Sequence, residues 1–199
     1  LAFQEQGIDL LIASATTPAD LKREYTFRKG AIGYDGKRFA DAEKYMIDAY
    51  NLGHRDNNIE FLISNAMSQQ GKDADAISWI SKAIAASKAA GAMNKTYVVR
   101  AAILSAKAKN YAGAANFYKD LIIAENNPDY WHDALAFFDR SREFNPEESL
   151  DIMRLMRATD GIRFQQEYAA YLDSLSYIGV RYPAEAVSLL DEGFAKGLI

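Results

Sequence analysis

The two histidines are the first residues to consider for acid–base or metal chemistry. His54 stands in the segment LGHRDN and His132 follows Trp131 at a predicted helix start. A histidine-activated nucleophile needs a Ser or Thr beside the ring and a third group that orients it, and the sequence brings no such set together. Neither histidine has a metal-ligand spacing such as His-Glu-x-x-His. We therefore expect both to be exposed loop residues, and we predict no metal and no cofactor.

Acidic residues offer a second possible chemistry, because two carboxylates at a suitable separation can hydrolyse a glycoside. The candidates are Asp129, Asp133, Asp139, Glu147, Glu148 and Asp151. Three of them, Asp129, Glu147 and Glu148, fall in predicted first turns of helices, where a negative charge is favoured by the helix dipole. The segment from Gly30 to Gly33 lacks the Lys-Ser/Thr pair of a phosphate-binding loop. The sequence therefore predicts a protein that is not an enzyme.

The composition excludes several further classes. The chain has 199 residues, of which 49% are hydrophobic and 25% charged, so it can bury a sizeable core and is not intrinsically disordered. A net charge of −4 argues against a nucleic-acid partner. Cysteine is absent, which excludes disulfides and thiolate zinc sites. No apolar run approaches the length that spans a bilayer, so we predict no membrane insertion.

The start of the chain predicts two helices. Apolar residues recur at helical spacing in residues 1–15. Thr17 can cap a following helix and Pro18 suits its first position, so the second helix should run from about Pro18 to Tyr34. The first segment has no partner before it, and Leu1 is not a methionine. We therefore expect residues 1–15 to be the second helix of a hairpin whose first helix lies upstream.

A repeat becomes visible when the small residue in each later amphipathic segment is aligned. These residues, Ala42, Ala76, Ala114, Ser149 and Ala186, are 34 to 38 positions apart. Four positions after each of them stands a large apolar residue, namely Met46, Ile80, Tyr118, Met153 and Leu190. Twelve positions before each of them stand Gly30, Ser64, Ala102, Phe137 and Ser174, and all but Phe137 are small. In the best-formed segment, Gly71–Ala83, we expect Ala76, Ile80 and Ala83 to be buried.

This pattern resembles the tetratricopeptide repeat family, whose units are about 34 residues long. The resemblance implies an all-α fold of about eleven helices, a right-handed superhelical solenoid of antiparallel helix hairpins. It implies one domain over residues 1–199, with repeats at about 22–55, 56–90, 94–127, 129–160 and 163–197. Pro146 and Pro183 replace the aromatic residue that opens the second helix of the fourth and fifth repeats, and both suit a helix start.

The resemblance also implies a concave groove lined by the first helix of each hairpin. The positions that correspond to this groove are Phe27, Tyr34, Phe61, Asn65, Val99, Arg100, Ile103, Trp131, Phe138, Tyr168 and Tyr171. Aromatic residues dominate the set, which favours a partner that offers apolar side chains. The alternative is that several of these rings pack between helices, as aromatic residues at helical spacing commonly do. The carboxylate clamp of chaperone-binding family members is absent, because only Arg100 matches it.

The predicted function is a protein–protein interaction scaffold that binds a peptide or a helix in this groove. The alternative is an accessory domain that positions a substrate or partner for a larger enzyme, for example one of the cell envelope. The last helix has no polar capping helix after it, so homo-oligomers through uncapped ends are also expected. The segments NPDYWHDAL and LDEGFAKGLI resemble parts of bacterial tetratricopeptide proteins that carry signal peptides. This favours a periplasmic over a cytoplasmic location.

Overall fold

Helices form all the regular secondary structure of the part of the chain that the computed structural model describes. These residues are 2–56, 58–177 and 181–199, and they contain eleven helices and no strand. The predicted fold class, all-α with about eleven helices, is therefore confirmed. The predicted start of the first helix at Leu1 lies outside the described residues, among which that helix begins at Ala2.

The helices divide between two units, Leu1–Ala108 and Lys109–Ile199. Unit 1 holds α1 (Ala2–Ala13), α2 (Ala19–Asp35), α3 (Phe39–Asn51), α4 (Ile59–Gln69), α5 (Asp73–Ala89) and α6 (Lys95–Lys107). Unit 2 holds α7 (Tyr111–Glu125), α8 (Pro128–Asp139), α9 (Pro146–Ala158), α10 (Gln165–Tyr177) and α11 (Pro183–Ala195). Each predicted repeat range covers most of two helices, although α2 begins at Ala19, before residue 22, and α8 begins at Pro128, before residue 129. The repeat ranges themselves stay a prediction. The organisation of residues 1–199 as one domain stays a prediction.

Helices α2 and α3 of unit 1 pack at backbone contact, and glycine makes this possible. A Cβ atom placed on Gly30 would lie 2.7 Å from Met46 Cγ and 3.0 Å from the Met46 nitrogen. A Cβ atom on Gly33 would lie 3.1 Å from the Ala42 nitrogen. Because the contact moves to lower numbers in α3 as it moves to higher numbers in α2, the two helices are antiparallel. This is the close approach that the small residue twelve positions before Ala42 predicts.

The second hairpin, α4 with α5, repeats this arrangement with serine in place of glycine. The Ser64 hydroxyl is buried and donates a 2.8 Å hydrogen bond to the carbonyl oxygen of Ala76. Ala76, Ile80 and Ala83 are 0%, 0% and 3% exposed, so their predicted burial is confirmed. The turn between the helices passes through Gly71 at a φ of +76°, a conformation that glycine adopts without strain. The chain is therefore tetratricopeptide-like in the way its hairpins pack.

Asparagine side chains cap several helix starts. The side chain of Asn94 accepts a hydrogen bond from Thr96 N at the start of α6, and that of Asn110 accepts one from Gly113 N at the start of α7. Asn145 and Glu148 form a reciprocal capping box at the start of α9, where Pro146 takes the first helical position as predicted. At α2 the prediction is wrong by one residue, because Pro18 rather than Thr17 is the cap position and no side chain caps this helix.

Unit 2 has a core in which α8 to α11 each contribute side chains. Its buried members are Leu135, Leu150, Ile152, Met156, Ile162, Tyr168, Tyr171, Leu175 and Leu189. Phe137, the large residue at an otherwise small position, is only half-buried and lies 6.3 Å from Tyr118 between ring centroids. The bulky side chain is therefore accommodated at the edge of the packing against α7.

Ion pairs within each unit recur at about the length of one repeat. Arg154 and Glu185 form a pair 31 residues apart, and Arg157 and Glu192 form one 35 residues apart. In unit 1 the pair Lys107–Asp73 has a separation of 34 residues. Each pair therefore joins one hairpin to the next. None of the helices in the described ranges has the length and apolarity that crossing a bilayer requires.

Candidate functional site

His54 is a buried residue rather than the exposed loop residue that we expected. Its ring is 3% exposed and stacks on Phe27, with ring centroids 4.3 Å apart and planes 8° from parallel. Its Nδ1 atom lies 3.9 Å from a Glu24 carboxylate oxygen, and its Nε2 atom has no hydrogen-bond partner among the described residues. The expectation of exposure is wrong because the loop after α3 folds this ring onto α2.

His132 also differs from the expectation, because it bridges two helices of unit 2. Its Nδ1 atom lies 3.0 Å from an Asp133 oxygen and its Nε2 atom lies 2.7 Å from Glu167 Oε1. Asp133 accepts a second hydrogen bond, from the Tyr118 hydroxyl at 3.0 Å. Burial favours the neutral ring, but the hydrogen bonds and charges of the two carboxylates outweigh it and raise the pKa of His132. The arrangement ties α10 to α8.

These histidine environments do not assemble a catalytic set. Within the described ranges neither ring hydrogen-bonds to a Ser or Thr hydroxyl, so no activated nucleophile is formed. The same part of the chain holds no group of three or more His, Asp or Glu side chains that could bind a metal ion. His132 and its carboxylates instead form a structural hydrogen-bond cluster.

Four of the predicted groove residues lie together on two neighbouring helices of unit 1. Phe61 of α4 stacks on Tyr97 of α6 with ring centroids 4.9 Å apart. Nη2 of Arg100 donates a weak 3.4 Å hydrogen bond to Ser68 Oγ, which is a second contact between α6 and α4. We call the surface formed by Phe61, Asn65, Arg100 and Ile103 the α4–α6 face.

The α4–α6 face combines apolar surface with unused hydrogen-bond donors. Ile103 is 48% exposed, whereas Phe61, Asn65 and Arg100 are partly buried. The Nε atom of Arg100 is buried without a hydrogen-bond partner among the described residues. This buried Nε–H is not accessible to a partner, and within the described ranges the rest of the guanidinium makes one weak hydrogen bond, from Nη2 to Ser68 Oγ. Val99, the neighbouring groove candidate, is partly buried.

The other groove candidates in α2 are occupied by contacts inside unit 1. Phe27 is 8% exposed because its ring is covered by His54. Tyr34 is partly buried and meets Phe39 edge to face, with ring centroids 5.5 Å apart. The alternative interpretation, in which the ring packs inside the protein, therefore describes Phe27 well and Tyr34 in part.

In unit 2 the predicted groove residues differ among themselves. Phe138 is 41% exposed and its ring lies 5.2 Å from that of Phe144. Trp131 is partly buried and its indole N–H donates a 2.8 Å hydrogen bond to the Asn126 side chain. Both keep some accessible surface.

Tyr168 and Tyr171 are core residues of unit 2. They are 0% and 1% exposed, and their hydroxyls donate hydrogen bonds of 2.9 Å to Glu192 and 2.5 Å to Glu185. Burial, with the adjacent carboxylates, raises the pKa of both phenols, so they remain neutral donors. In this structure neither ring presents a surface to a partner, in contrast to its predicted place in the groove.

Sequence analysis did not single out Glu60, which lines a cavity of about 450 Å³ in unit 1. Glu60 is 8% exposed although it stands in the first turn of α4, where acidic residues are commonly solvated. Its position therefore looks like that of an ordinary helix-start acid. Only the packing of α5 and α6 around it shows that it is buried.

Comparisons with known proteins find similarity in structure alone. No family model matches the sequence, and no curated protein matches it. One similar solved structure is MamA MSR-1 C2, with 13% identity, a TM-score of 0.49, and coverage of 88% of this chain and 96% of that one. Another is a tetratricopeptide repeat protein from Parabacteroides merdae, with 17% identity, a TM-score of 0.46, and coverage of 87% of this chain and 79% of that one.

Proposed function

We propose that this chain is a non-enzymatic scaffold that binds another protein through the α4–α6 face. The observation that carries the proposal is the grouping of Phe61, Asn65, Arg100 and Ile103 on two adjacent helices, with Ile103 half-exposed and the terminal guanidinium nitrogens of Arg100 making one weak hydrogen bond in the described part of the chain. Helix hairpins of this kind provide rigid positions for such residues. A binding surface that is preorganised in this way loses little conformational entropy when a partner docks.

The chemistry of this face suggests the kind of segment it binds. Ile103 and the exposed part of the Phe61 ring favour apolar side chains, which bury area on contact. Arg100 favours an oxygen acceptor, either a carboxylate or a backbone carbonyl. An extended peptide or one face of an amphipathic helix can supply both groups within a few residues. We propose such a segment as the ligand.

A single exposed substitution with a matched control tests the proposal. Ile103→Glu places a charge in the middle of the α4–α6 face at a position that is 48% exposed, so the fold should tolerate it. Ile123→Glu makes the same change on α7 at a position that is 73% exposed. The wild type and both variants are immobilised, proteins retained from an extract of the source cells are quantified by mass spectrometry, and the leading candidate is measured with purified components.

The expected result is that Ile103→Glu weakens binding by at least about tenfold, since a buried apolar contact is replaced by a desolvated charge. Ile123→Glu should bind like the wild type. Equal binding by all three proteins, with unchanged circular dichroism, would show that the α4–α6 face is not the binding site.

Other parts of the predicted function remain predictions. Self-association is supported by apolar side chains that stand exposed on the terminal helices, Phe3 and Leu10 on α1 and Val187 and Phe194 on α11. Sedimentation over a range of protein concentrations would test it. The accessory-domain alternative, the bacterial origin and the periplasmic location carry no structural observation of their own.

A further inference from the structure

A cavity of about 450 Å³ lies in unit 1 where the start of α4, the end of α5 and the start of α6 meet. Its lining includes small apolar residues of α5 and the turn that follows it, among them Ala83, Ala86 and Ala90, together with the polar residues Ser87 and Asn94. Glu60 and Tyr97 also line it. The cavity therefore combines small apolar residues with groups that can hydrogen-bond.

Glu60 is the feature of this cavity that the fold leaves unexplained. Its residue is only 8% exposed, yet no side chain in the described ranges forms an ion pair or a hydrogen bond with its carboxylate. Neither carboxylate oxygen is among the buried side-chain atoms without a partner in the described residues, so the group keeps access to the cavity. The dipole of α4 stabilises a carboxylate in the first turn but supplies no counter-charge. A carboxylate on a residue with so little exposed surface is normally paired with a cation.

The other charged residues of the cavity do not provide that cation. Arg55 lines it, but Nη1 of Arg55 donates hydrogen bonds of 2.6 Å to the Tyr50 carbonyl and 2.7 Å to the His54 carbonyl. The guanidinium carbon of Arg55 also lies 3.6 Å from the centroid of the Tyr50 ring, which fixes the group there. Asp56 adds a second acid to the lining. The lining therefore carries one more negative than positive charge.

The phenol of Tyr97 is affected by the negative charge of Glu60 in the cavity. Burial raises the pKa of its phenol, and the negative charge of Glu60 raises it further. The phenol therefore stays protonated beside the carboxylate. It can serve as a neutral hydrogen-bonding group and as an aromatic face for a cation.

We propose that this cavity, the Glu60 pocket, binds the cationic side chain of a lysine or an arginine. The alkyl stem of such a side chain would lie along Ala86 and Ala90, and its charged head would pair with Glu60. Asp56 would add attraction at the entrance. The inference rests on the proposed scaffold function in one respect, since it takes the cation to be part of a bound protein.

A titration with single-residue probes tests the Glu60 pocket directly. Nα-acetyl-lysine methylamide and Nα-acetyl-arginine methylamide are titrated into the isotope-labelled full chain, and amide chemical shifts are followed by NMR. Nα-acetyl-norleucine methylamide, which has the apolar stem without the charge, is the neutral control. The expected result is a saturable shift of amides in the first turn of α4 and the last turn of α5 with at least one cationic probe, and no such shift with norleucine.

Two pocket variants and one control variant locate the binding. Glu60→Gln keeps the shape of the side chain and removes its charge, so the dissociation constant of the cationic probe should rise by at least about tenfold. Asp20→Asn removes an exposed acid from the first turn of α2 and should leave the constant unchanged. Ala86→Leu fills the pocket from an exposed position of α5, so it should block binding while the fold persists.

Equal responses to the cationic and neutral probes would overturn the inference, and so would wild-type affinity in either Glu60→Gln or Ala86→Leu. These measurements need no protein partner and leave the α4–α6 face unaltered. If the cationic probes do not bind but Ile103→Glu abolishes protein binding, the Glu60 pocket is refuted and the proposed function stands. If the cationic probes bind as expected but Ile103→Glu binds protein like the wild type, the α4–α6 face is refuted as the binding site and the Glu60 pocket stands.

Discussion

Replacing Gly30 by alanine tests the close packing of α2 on α3. The new Cβ atom would lie 2.7 Å from Met46 Cγ and 3.0 Å from the Met46 nitrogen. The Met46 side chain can shift, but the backbone nitrogen belongs to α3 and moves only if the helices separate. Overpacking of this kind costs about 1–3 kcal/mol. Alanine gains about 1 kcal/mol over glycine in a helix, so the net loss of stability should be up to about 2 kcal/mol.

Gly7 provides the matched control. It also lies inside a helix, α1, but a Cβ atom there would meet nothing within 4 Å. Gly7→Ala should therefore be neutral or stabilise the chain by up to about 1 kcal/mol, because only the helix propensity changes. The two substitutions are chemically identical and are expected to have opposite signs.

Urea unfolding followed by circular dichroism gives the overall effect of each change. Arrays of repeats can unfold in parts, so native-state hydrogen exchange of the α3 amides is measured as well. Gly30→Ala should lower the unfolding midpoint and speed exchange in α3, whereas Gly7→Ala should do neither. If Gly30→Ala is as stable as Gly7→Ala, the two helices do not approach as closely as described and the packing argument fails.

Two further substitutions test the interior of unit 2. The pKa of His132 is raised above its ordinary value of 6.5, so the contribution of this residue to stability is fully present below pH 6.5 and is lost as the pH rises through the folded-state pKa. Thermal unfolding of the wild type at several pH values should show this loss of stability. An equal loss in His132→Gln would contradict the prediction. Tyr171→Ala removes a fully buried ring and should lower the free energy of unfolding by about 3–5 kcal/mol in urea unfolding. The control Tyr177→Ala changes a residue on the same helix that is 80% exposed and should lower it by less than about 0.5 kcal/mol. Similar costs for both tyrosines would place Tyr171 outside the core.

The sequence was sufficient to predict the helices and their hairpin contacts because these depend on short separations. Gly30 and Ala42, or Ser64 and Ala76, are twelve residues apart, so the turn between two helices brings them together almost regardless of the rest of the chain. Helix starts are local as well, and Pro146 shows it. Thr17 was a poorer guide, because α2 begins one residue later than expected and Pro18 takes the cap position that the sequence assigned to Thr17.

The candidate site was harder to predict, because side-chain exposure depends on how neighbouring helices are rotated. The groove positions included Ile103, which is 48% exposed, and Tyr168, which is fully buried. Residues on a helix are 100° apart around its axis, so a small rotation moves a ring from the groove into the interface. In α10 that change is stabilised by Glu192 of α11, which accepts the Tyr168 hydrogen bond. Nothing in the local sequence of α10 reports the presence of this acceptor.

Burial of polar residues was missed for a related reason. His54 follows α3 in a segment that reads as a solvated turn, and its stacking partner Phe27 is 27 positions earlier. Glu60 has the sequence context of a helix-start acid and becomes buried only when α5 and α6 close over it. The burial of Glu60 needs a contact between consecutive hairpins, which the repeat pattern locates only approximately. The burial of His54 needs the loop after α3 to fold back onto α2 of its own hairpin.

The ion pairs that recur at about one repeat length have a consequence for the evolution of the gene. Arg154 with Glu185, Arg157 with Glu192 and Lys107 with Asp73 each join a hairpin to its neighbour at separations of 31 to 35 residues. A duplication of one repeat by unequal recombination would copy only one partner of each pair, because the two partners lie in different repeats. A change in the number of repeats would therefore leave the copied charge facing a new neighbour, and a compensating substitution there would be needed to restore the pair.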